Sequence, residues 1–488
     1  MSFLLLIAIL IPAVLGLLAL RIPFRSPHAL HVYMETTAVL TTVVVWILLL
    51  TLPQDRTLLC TILPGFSLQI GADGIGRLYA GLVSLMWPVV LLYAFAYMGH
   101  DARQRSFFAF YILTYAATLG ISFSANLLTL FLFFELMSLS TLPLVAHHQD
   151  AESLLAARKY AAYLFGGAAL ALAAVIVSAA CGQTGSFQPG GDLASGLPAG
   201  VLQVVYLLGF FGFGIKAAVF PFHTWLPTVS CAPTPVTALL HAVAVVNTGV
   251  FSVIRLTWYT FGPSLLQGTW VQFVCLVTAA FTLLLTSVLA VRERHIKRRL
   301  AWSTVSNLSY MLFGILLLTP DGFAAGTAHL VFHSLTKITL FLCIGSFMHE
   351  TGKAYLSDAN GVGKQMPRTF VFYTISALSL VGIPMFCCFI SKWRLLTAGA
   401  AQASPGAYIG IGALIASAFL CAVYGLSVSA RAFFPVGEDD RYKGVRPSRE
   451  GGWRMLVPIG IFTAAQVFFG LWPGPLLSYI TRIAEGLL

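Results

Sequence analysis

The chain has 488 residues, of which 58% are hydrophobic and 9% charged. That balance excludes a soluble globular protein of this length, because most of the chain must face lipid or other buried helices. The formal net charge of +11 does not point to a nucleic-acid partner, since the basic residues are scattered between apolar runs rather than gathered into one patch.

Apolar runs of about 18 to 25 residues recur throughout, each long enough as a helix to cross a hydrocarbon core about 30 Å thick. Lipid cannot satisfy backbone N–H and C=O groups, so these runs read as helices, and the short alternating strands of a barrel are missing. The first run, Phe3 to Leu20, has no basic residues before it and no small-residue cleavage site after it. It reads as a first span rather than a removed signal peptide. Further spans are predicted at 31–52, 75–98, 106–124, 127–146, 157–180, 201–221, 235–258, 269–291, 300–318, 323–348, 370–396, 406–433 and 453–475, about fourteen in all. The longest polar segments, near 53–74, 181–200 and 435–452, have only about twenty residues each and read as loops. The predicted fold class is an all-α, polytopic membrane protein.

The loops alternate in charge. Arg21 and Arg25, Arg103 and Arg105, Arg158 and Lys159, the run Arg292, Arg294, Lys297, Arg298, Arg299, then Lys353, Lys364, Arg368, and Arg441, Lys443, Arg446, Arg449 fall on one side. The other side holds chiefly Arg56, Arg77 and Arg482. The positive-inside rule makes the basic side cytoplasmic and puts both termini outside a cell membrane. The eight cysteines show no C-x-x-C spacing, so no zinc or iron–sulfur site is expected and they read as small packing residues.

Ionisable side chains inside spans cost at least about 2.5 kcal/mol each on insertion scales, so each one suggests a function. Glu135 lies mid-span in F-F-E-L-M-S-L-S, Lys216 in G-F-G-I-K-A-A-V-F-P, His241 in A-L-L-H-A-V-A-V-V-N-T-G, and Lys392 near the end of F-I-S-K-W. The eleventh span adds His329, His333 and Lys337, whose spacing of four puts all three on one helix face over about 12 Å of depth. Lys216 precedes Pro221, and Lys392 follows Gly382 and Pro384, so both lysines are expected beside interrupted helices, as at ion sites of repeat-built transporters. Desolvation favours a neutral lysine and a nearby carboxylate favours a charged one, so a Glu135–Lys216 pair is suited to loading and releasing a proton. A static ion pair is the structural alternative. Histidines, with an ordinary pKa near 6.5, bridge such sites.

At these residues the sequence resembles the antiporter-like proton-translocating subunits of respiratory complex I (NADH:quinone oxidoreductase), Mrp-type sodium/proton antiporters and membrane-bound hydrogenases. The resemblance covers roughly 70–435 and rests on Lys216 through H-T-W-L-P and A-P-T-P-V-T-A-L-L-H to Asn247, the run I-K-R-R-L-A-W-S-T-V-S-N-L-S-Y-M from Ile296, the His329/His333/Lys337 ladder, and G-I-P before F-I-S-K-W. The turn G-A-D-G-I-G at 71–76 resembles the family's entry to the third span. The resemblance implies fourteen helices with two inverted five-helix repeats and discontinuous helices, divided as 1–98, 99–260, 261–434 and 435–488. It implies Glu135 and Lys216 as the coupled pair, His241 and the eleventh-span groups as the central relay, and Lys392 as the outlet. His223 and Lys297 would serve as further relay or entry groups. It also implies membrane partners, namely homologous antiporter-like subunits and peripheral redox subunits, with no cofactor in this chain.

The sequence departs from the family pattern in places. Phe134 replaces a Trp before the glutamate, T-V-S-C at 228–231 lacks the acidic and histidine residues common there, and Met385 and Cys388 stand where Pro and Gly are common. Lys392 in place of a glutamate argues against one complex I class. Sodium/proton exchange in an Mrp-type complex and a structural subunit without pumping are the competing readings.

Overall fold

The computed structural model describes residues 2–63, 65–182, 185–193, 196–435 and 450–487. The chain is mostly helical. In order, the helices are α1 (Leu5–Ala19), α2 (Pro27–Thr51), α3 (Gly74–Tyr97), α4 (Gln104–Ser122), α5 (Leu127–Val145), α6 (Ala151–Cys181), α7 (Ala199–Gly214), α8 (Trp225–Thr228), α9 (Thr234–Ala242), α10 (Val245–Ile254), α11 (Pro263–Leu266), α12 (Trp270–Arg292), α13 (Ile296–Leu316), α14 (Pro320–Thr351), α15 (Pro367–Val381), α16 (Cys387–Gln402), α17 (Pro405–Phe433), α18 (Trp453–Leu471) and α19 (Gly474–Glu485). Among the described residues, nine helical stretches are long and apolar enough to cross a membrane. Starts are set by local chemistry: Ser26, Asp73, Asn126, Asp150, Thr269 and Thr319 each accept a hydrogen bond from the first turn they precede.

Two predictions need correcting outside the bundle interior. The segment 53–74, expected as a loop in an all-α fold, contains a hairpin, β1 (Arg56–Leu63) with β2 (Phe66–Gly71), paired antiparallel. Its turn signal was Gly65, which adopts φ +83, a backbone that glycine takes without strain. The chain also continues past the last predicted span into α19, an amphipathic helix that buries Ile480 and Ala484 and whose Tyr479 hydroxyl donates to the Gly74 carbonyl at 3.1 Å.

The bundle has an inside and an outside. The hydropathic windows of α14 and of the stretch 234–261 are entirely buried, whereas well under half of each window in α2, α6, α17 and α18 is buried. An exposed apolar surface of this kind is what lipid covers. The loops sort into two ends. At one, His147 meets Asp101 at 3.0 Å and Arg298 meets Glu152 at 2.8 Å; at the other, Gln188 pairs with Tyr259 and Phe187 with Ala125 through backbone bonds. Of the basic residues assigned to one side, Arg441, Lys443, Arg446 and Arg449 lie outside the described residues.

Three segments are broken inside the bundle. α7 stops at Gly214, and Lys216 lies in the turns that follow, several residues before Pro221. The Ile215 carbonyl freed there accepts from the Trp225 indole at 2.9 Å. Gly249 of α10 lets this turn approach, because a Cβ there would stand 2.3 Å from the Ala217 nitrogen. α15 ends at Gly382, in the left-handed region at φ +95, and α16 resumes at Cys387. The third break, between α9 and α10 at Val243–Ala244, falls where 235–258 was expected to be continuous. No proline or glycine marks it; Asn247 Nδ2 donates to the Ala242 carbonyl at 2.7 Å and the Tyr79 hydroxyl to the Val243 carbonyl at 2.7 Å. Satisfied carbonyls make an interruption tolerable at membrane depth.

Candidate functional site

The titratable groups named from sequence are enclosed: Lys216, His241, His329, His333 and Lys337 are fully buried, and Lys297, His223 and Lys392 nearly so. α5 presents Glu135 half-buried, with Oε1 lacking a hydrogen-bond partner. The Lys216 ammonium reaches α5 one residue short of it, donating to the Phe134 carbonyl and lying 3.4 Å from the Phe134 ring centroid. Glu135 and Lys216 are within electrostatic range of one another but make no ion pair at 4.0 Å or less. The two spans are therefore adjacent as expected, with the charges near each other and unjoined.

The ladder of α14 is directed into the bundle. Lys337 donates to the Ser303 hydroxyl and, at 3.2 Å, to the Leu300 carbonyl, both on α13. His333 has no partner on either ring nitrogen, and it stands within electrostatic range of Lys337, His329, Lys392 and His241. The rings of His329 and His333 are 6.0 Å apart. His329 has its Nε2 3.3 Å from Asn307 Oδ1, and the Asn307 amide nitrogen donates to the Ser303 carbonyl at 2.7 Å. This orients the amide oxygen toward the imidazole Nε2, while Nδ1 faces the Ser391 hydroxyl at 2.8 Å.

His241 occupies the last turn of α9 just before the break, stacked on Phe341 of α14 at 4.8 Å, with both nitrogens unpartnered. It is within electrostatic range of Lys297 and Lys337. Lys297 donates to the Ala232 carbonyl at 2.5 Å. Lys392 donates to the Leu380 and Val381 carbonyls at 2.6 and 3.2 Å, which are the open carbonyls at the end of α15, where the helix dipole favours a cation. It also lies 4.9 Å from the Tyr310 ring centroid. His223 stands apart, between Phe220 and Trp302 at 5.5 and 5.9 Å, with Nδ1 unpartnered.

Several contributors were not singled out from sequence: Ser303, Asn307, Ser391 and the carbonyl-capping Asn247, which also donates to Ser334 beside His333 at 2.7 Å. Hydroxyls and amides inside apolar runs were the available signal. Arg255 was missed as well. It is buried in a π-helical stretch, Arg255–Phe261, and pairs with Asp73, the residue that caps α3, with its NH2 2.7 Å from Oδ1. The turn at 71–76 thus anchors an ion pair at the hairpin end of the bundle. Among the described residues no group of three or more metal-ligating side chains occurs.

A helical bundle with an apolar outer surface, enclosing lysines and histidines that form no ion pair among the described residues, has the make-up of an ion-translocating membrane protein. The family described as NADH:quinone oxidoreductase/Mrp antiporter, TM, matches residues 124–419. A relative from Desulforudis audaxviator (strain MP104C), NADH-quinone oxidoreductase subunit N, is 30% identical over 444 residues, 86% of this chain and 85% of its own. Na(+)/H(+) antiporter subunit A1 of Staphylococcus aureus is 30% identical over 511 residues, covering 98% of this chain, which spans only 62% of that longer protein. In fold, a chain of the membrane-bound sulfane sulfur reductase, an archaeal respiratory membrane complex, superposes with a TM-score of 0.85 at 20% identity over 100% of this chain and 96% of its own. The protein belongs to the NADH:quinone oxidoreductase/Mrp antiporter family and is an antiporter-like, multi-pass membrane subunit.

Proposed function

We propose that this chain carries protons across a cell membrane as one subunit of a larger membrane complex, with Glu135 and Lys216 as the input pair, His241, Lys337, His333 and His329 as the central relay, and Lys392 as the outlet. Lys297 and His223 serve as flanking relay or entry groups. The observation that carries this reading is the way the interior lysines are held. Lys216, Lys297, Lys337 and Lys392 all rest on carbonyl or hydroxyl oxygens, and none forms an ion pair among the described residues. A lysine kept for static structure would be paired with a carboxylate; one resting on neutral acceptors can exist with or without its proton.

In this reading the chain crosses the membrane fourteen times, as two inverted repeats at 99–260 and 261–434 flanked by 1–98 and 435–488, with the basic loops cytoplasmic and both termini outside. Its partners are related membrane subunits and peripheral redox subunits, and it holds no cofactor of its own. The test is proton uptake by vesicles containing the whole complex. Lys337→Ala is expected to reduce uptake by about a hundredfold or more, the scale on which a positioned proton carrier contributes. His329→Ala and His333→Ala should only slow it, because water can stand in for a relay histidine. Unimpaired uptake by Lys337→Ala refutes the assignment.

A further inference from the structure

A second polar column, two of its members ionisable, lies outside the relay, in α2 and its neighbours. His31, Glu35 and Thr42 follow the spacing that places them on one face of α2. Glu35 is eight residues into this helix, about 12 Å from its start, and its Oε2 is buried without a hydrogen-bond partner. A carboxyl at that depth, with an unsatisfied oxygen and no basic partner within 4.0 Å among the described residues, has no evident structural use.

Two polar neighbours flank it, one by its place on the same helix face and one across the interface with α4. Toward the basic end of the bundle is His31, half-buried, with Nε2 2.9 Å from Gln104 Oε1. The Gln104 amide nitrogen donates to the Gly99 carbonyl at 3.0 Å, so its oxygen faces His31, which carries its proton on Nε2 and keeps Nδ1 as an acceptor. Toward the interior is Tyr111 of α4, within electrostatic range of Glu35, its hydroxyl buried and unpartnered. Trp87, whose indole N–H is equally orphaned, packs 5.5 Å from Tyr111. An orphaned carboxylate oxygen, hydroxyl and indole N–H supply the acceptor and donors that a bridging water requires.

Further hydroxyls lie on α4 and α5 between Tyr111 and Glu135, in separate pairs that the Tyr111 hydroxyl does not itself touch. Thr114, one turn further along α4, donates to the Ser140 hydroxyl of α5 at 3.1 Å. The next residue, Thr141, lies 2.8 Å from the Tyr160 hydroxyl, and Tyr160 is within electrostatic range of Glu135.

We infer that Glu35 is a second proton-binding carboxyl, which takes protons from the basic face past His31 and passes them through Tyr111, Thr114, Ser140, Thr141 and Tyr160 to Glu135. The step is a proton relay only: a proton from bulk water binds Glu35, and the same charge leaves it toward Glu135. The inference rests on the proposed role of Glu135. It gives that residue a feed independent of the 228–231 segment, which reads T-V-S-C and offers no carboxylate or histidine.

The test uses dicyclohexylcarbodiimide, which enters lipid and forms a covalent adduct with protonated carboxyls. The whole complex is labelled in vesicles, and the peptides holding Glu35 and Glu135 are examined separately by mass spectrometry. An adduct is expected on Glu35, removed by Glu35→Gln. Proton uptake should fall about threefold to tenfold in Glu35→Gln and in the conservative Thr114→Val, less than the about hundredfold loss of a sole carrier. Thr114→Val should keep the Glu35 adduct, and it serves as the test if Glu35→Gln fails to assemble. No adduct on Glu35, or full uptake in these variants, overturns the inference. Glu135→Gln is measured alongside: if it pumps normally, the relay reading fails, whereas normal pumping confined to the Glu35 and Thr114 variants removes only the side route.

Discussion

Replacing Lys216 by methionine separates a proton carrier from a static ion pair, and the geometry sets the size of each effect. The ammonium makes one charged hydrogen bond to the Phe134 carbonyl and one contact with the Phe134 ring, stabilising by about 1.5 to 3 and about 2 kcal/mol. Against this stands a desolvation penalty of several kcal/mol for a fully buried cation. The terms nearly cancel, so Lys216→Met should leave the abundance of the assembled complex close to normal. Had Lys216 been locked to Glu135, removing one partner would leave an uncompensated charge and destabilise by about 3 to 5 kcal/mol. Beyond 4.0 Å, the attraction between the two charges is at most about 4 kcal/mol at an effective dielectric near 20. That is a factor of up to roughly a thousand in the balance between protonated and neutral lysine, ample for Glu135 to control whether Lys216 holds its proton. Glu135→Gln and Lys216→Met should therefore each abolish pumping without loss of assembly, and the double variant should be no worse than either, because groups acting as a unit are non-additive. Complex abundance and proton translocation are measured together in all four forms. Abundance lost in each single variant and restored in the double, with normal pumping, refutes the reasoning.

Two further outcomes are expected. Single cysteines at Asp192 and Arg298, in a background stripped of the eight native cysteines, should be labelled by an impermeant thiol reagent from opposite faces, Arg298 from the cytoplasm; labelling of both from one face would overturn the orientation. Asp73→Ala should destabilise by about 3 to 5 kcal/mol, read as reduced complex abundance and a lower Tm in detergent, because Arg255 would be left buried and unpaired; an unchanged Tm would show that the pair is not structural.

The contrast between the ladder and the break beside His241 separates what is written locally from what is not. A repeat of four on an apolar helix puts His329, His333 and Lys337 on one face whatever surrounds them, so that geometry followed from the order of residues. The same holds for the helical course of the apolar runs, since a backbone in lipid has to bond to itself. Gly382 and Gly65 likewise signalled a positive φ in their own residue type, although the second was not recognised as a hairpin turn. Val243 and Ala244 carry no such signal. Their helix opens because Asn247 and Tyr79 take up the carbonyls it frees, and Tyr79 comes from α3, more than 160 residues earlier. The position of Lys216 beside the Phe134 carbonyl, and of Lys392 on the last carbonyls of α15, was decided in the same way. Residue type and spacing determined which side chains are ionisable and which faces they share. Which of those charges stay unpaired was left to tertiary packing, because the free energy of a buried charge depends on the oxygens that other helices bring within 3 Å of it.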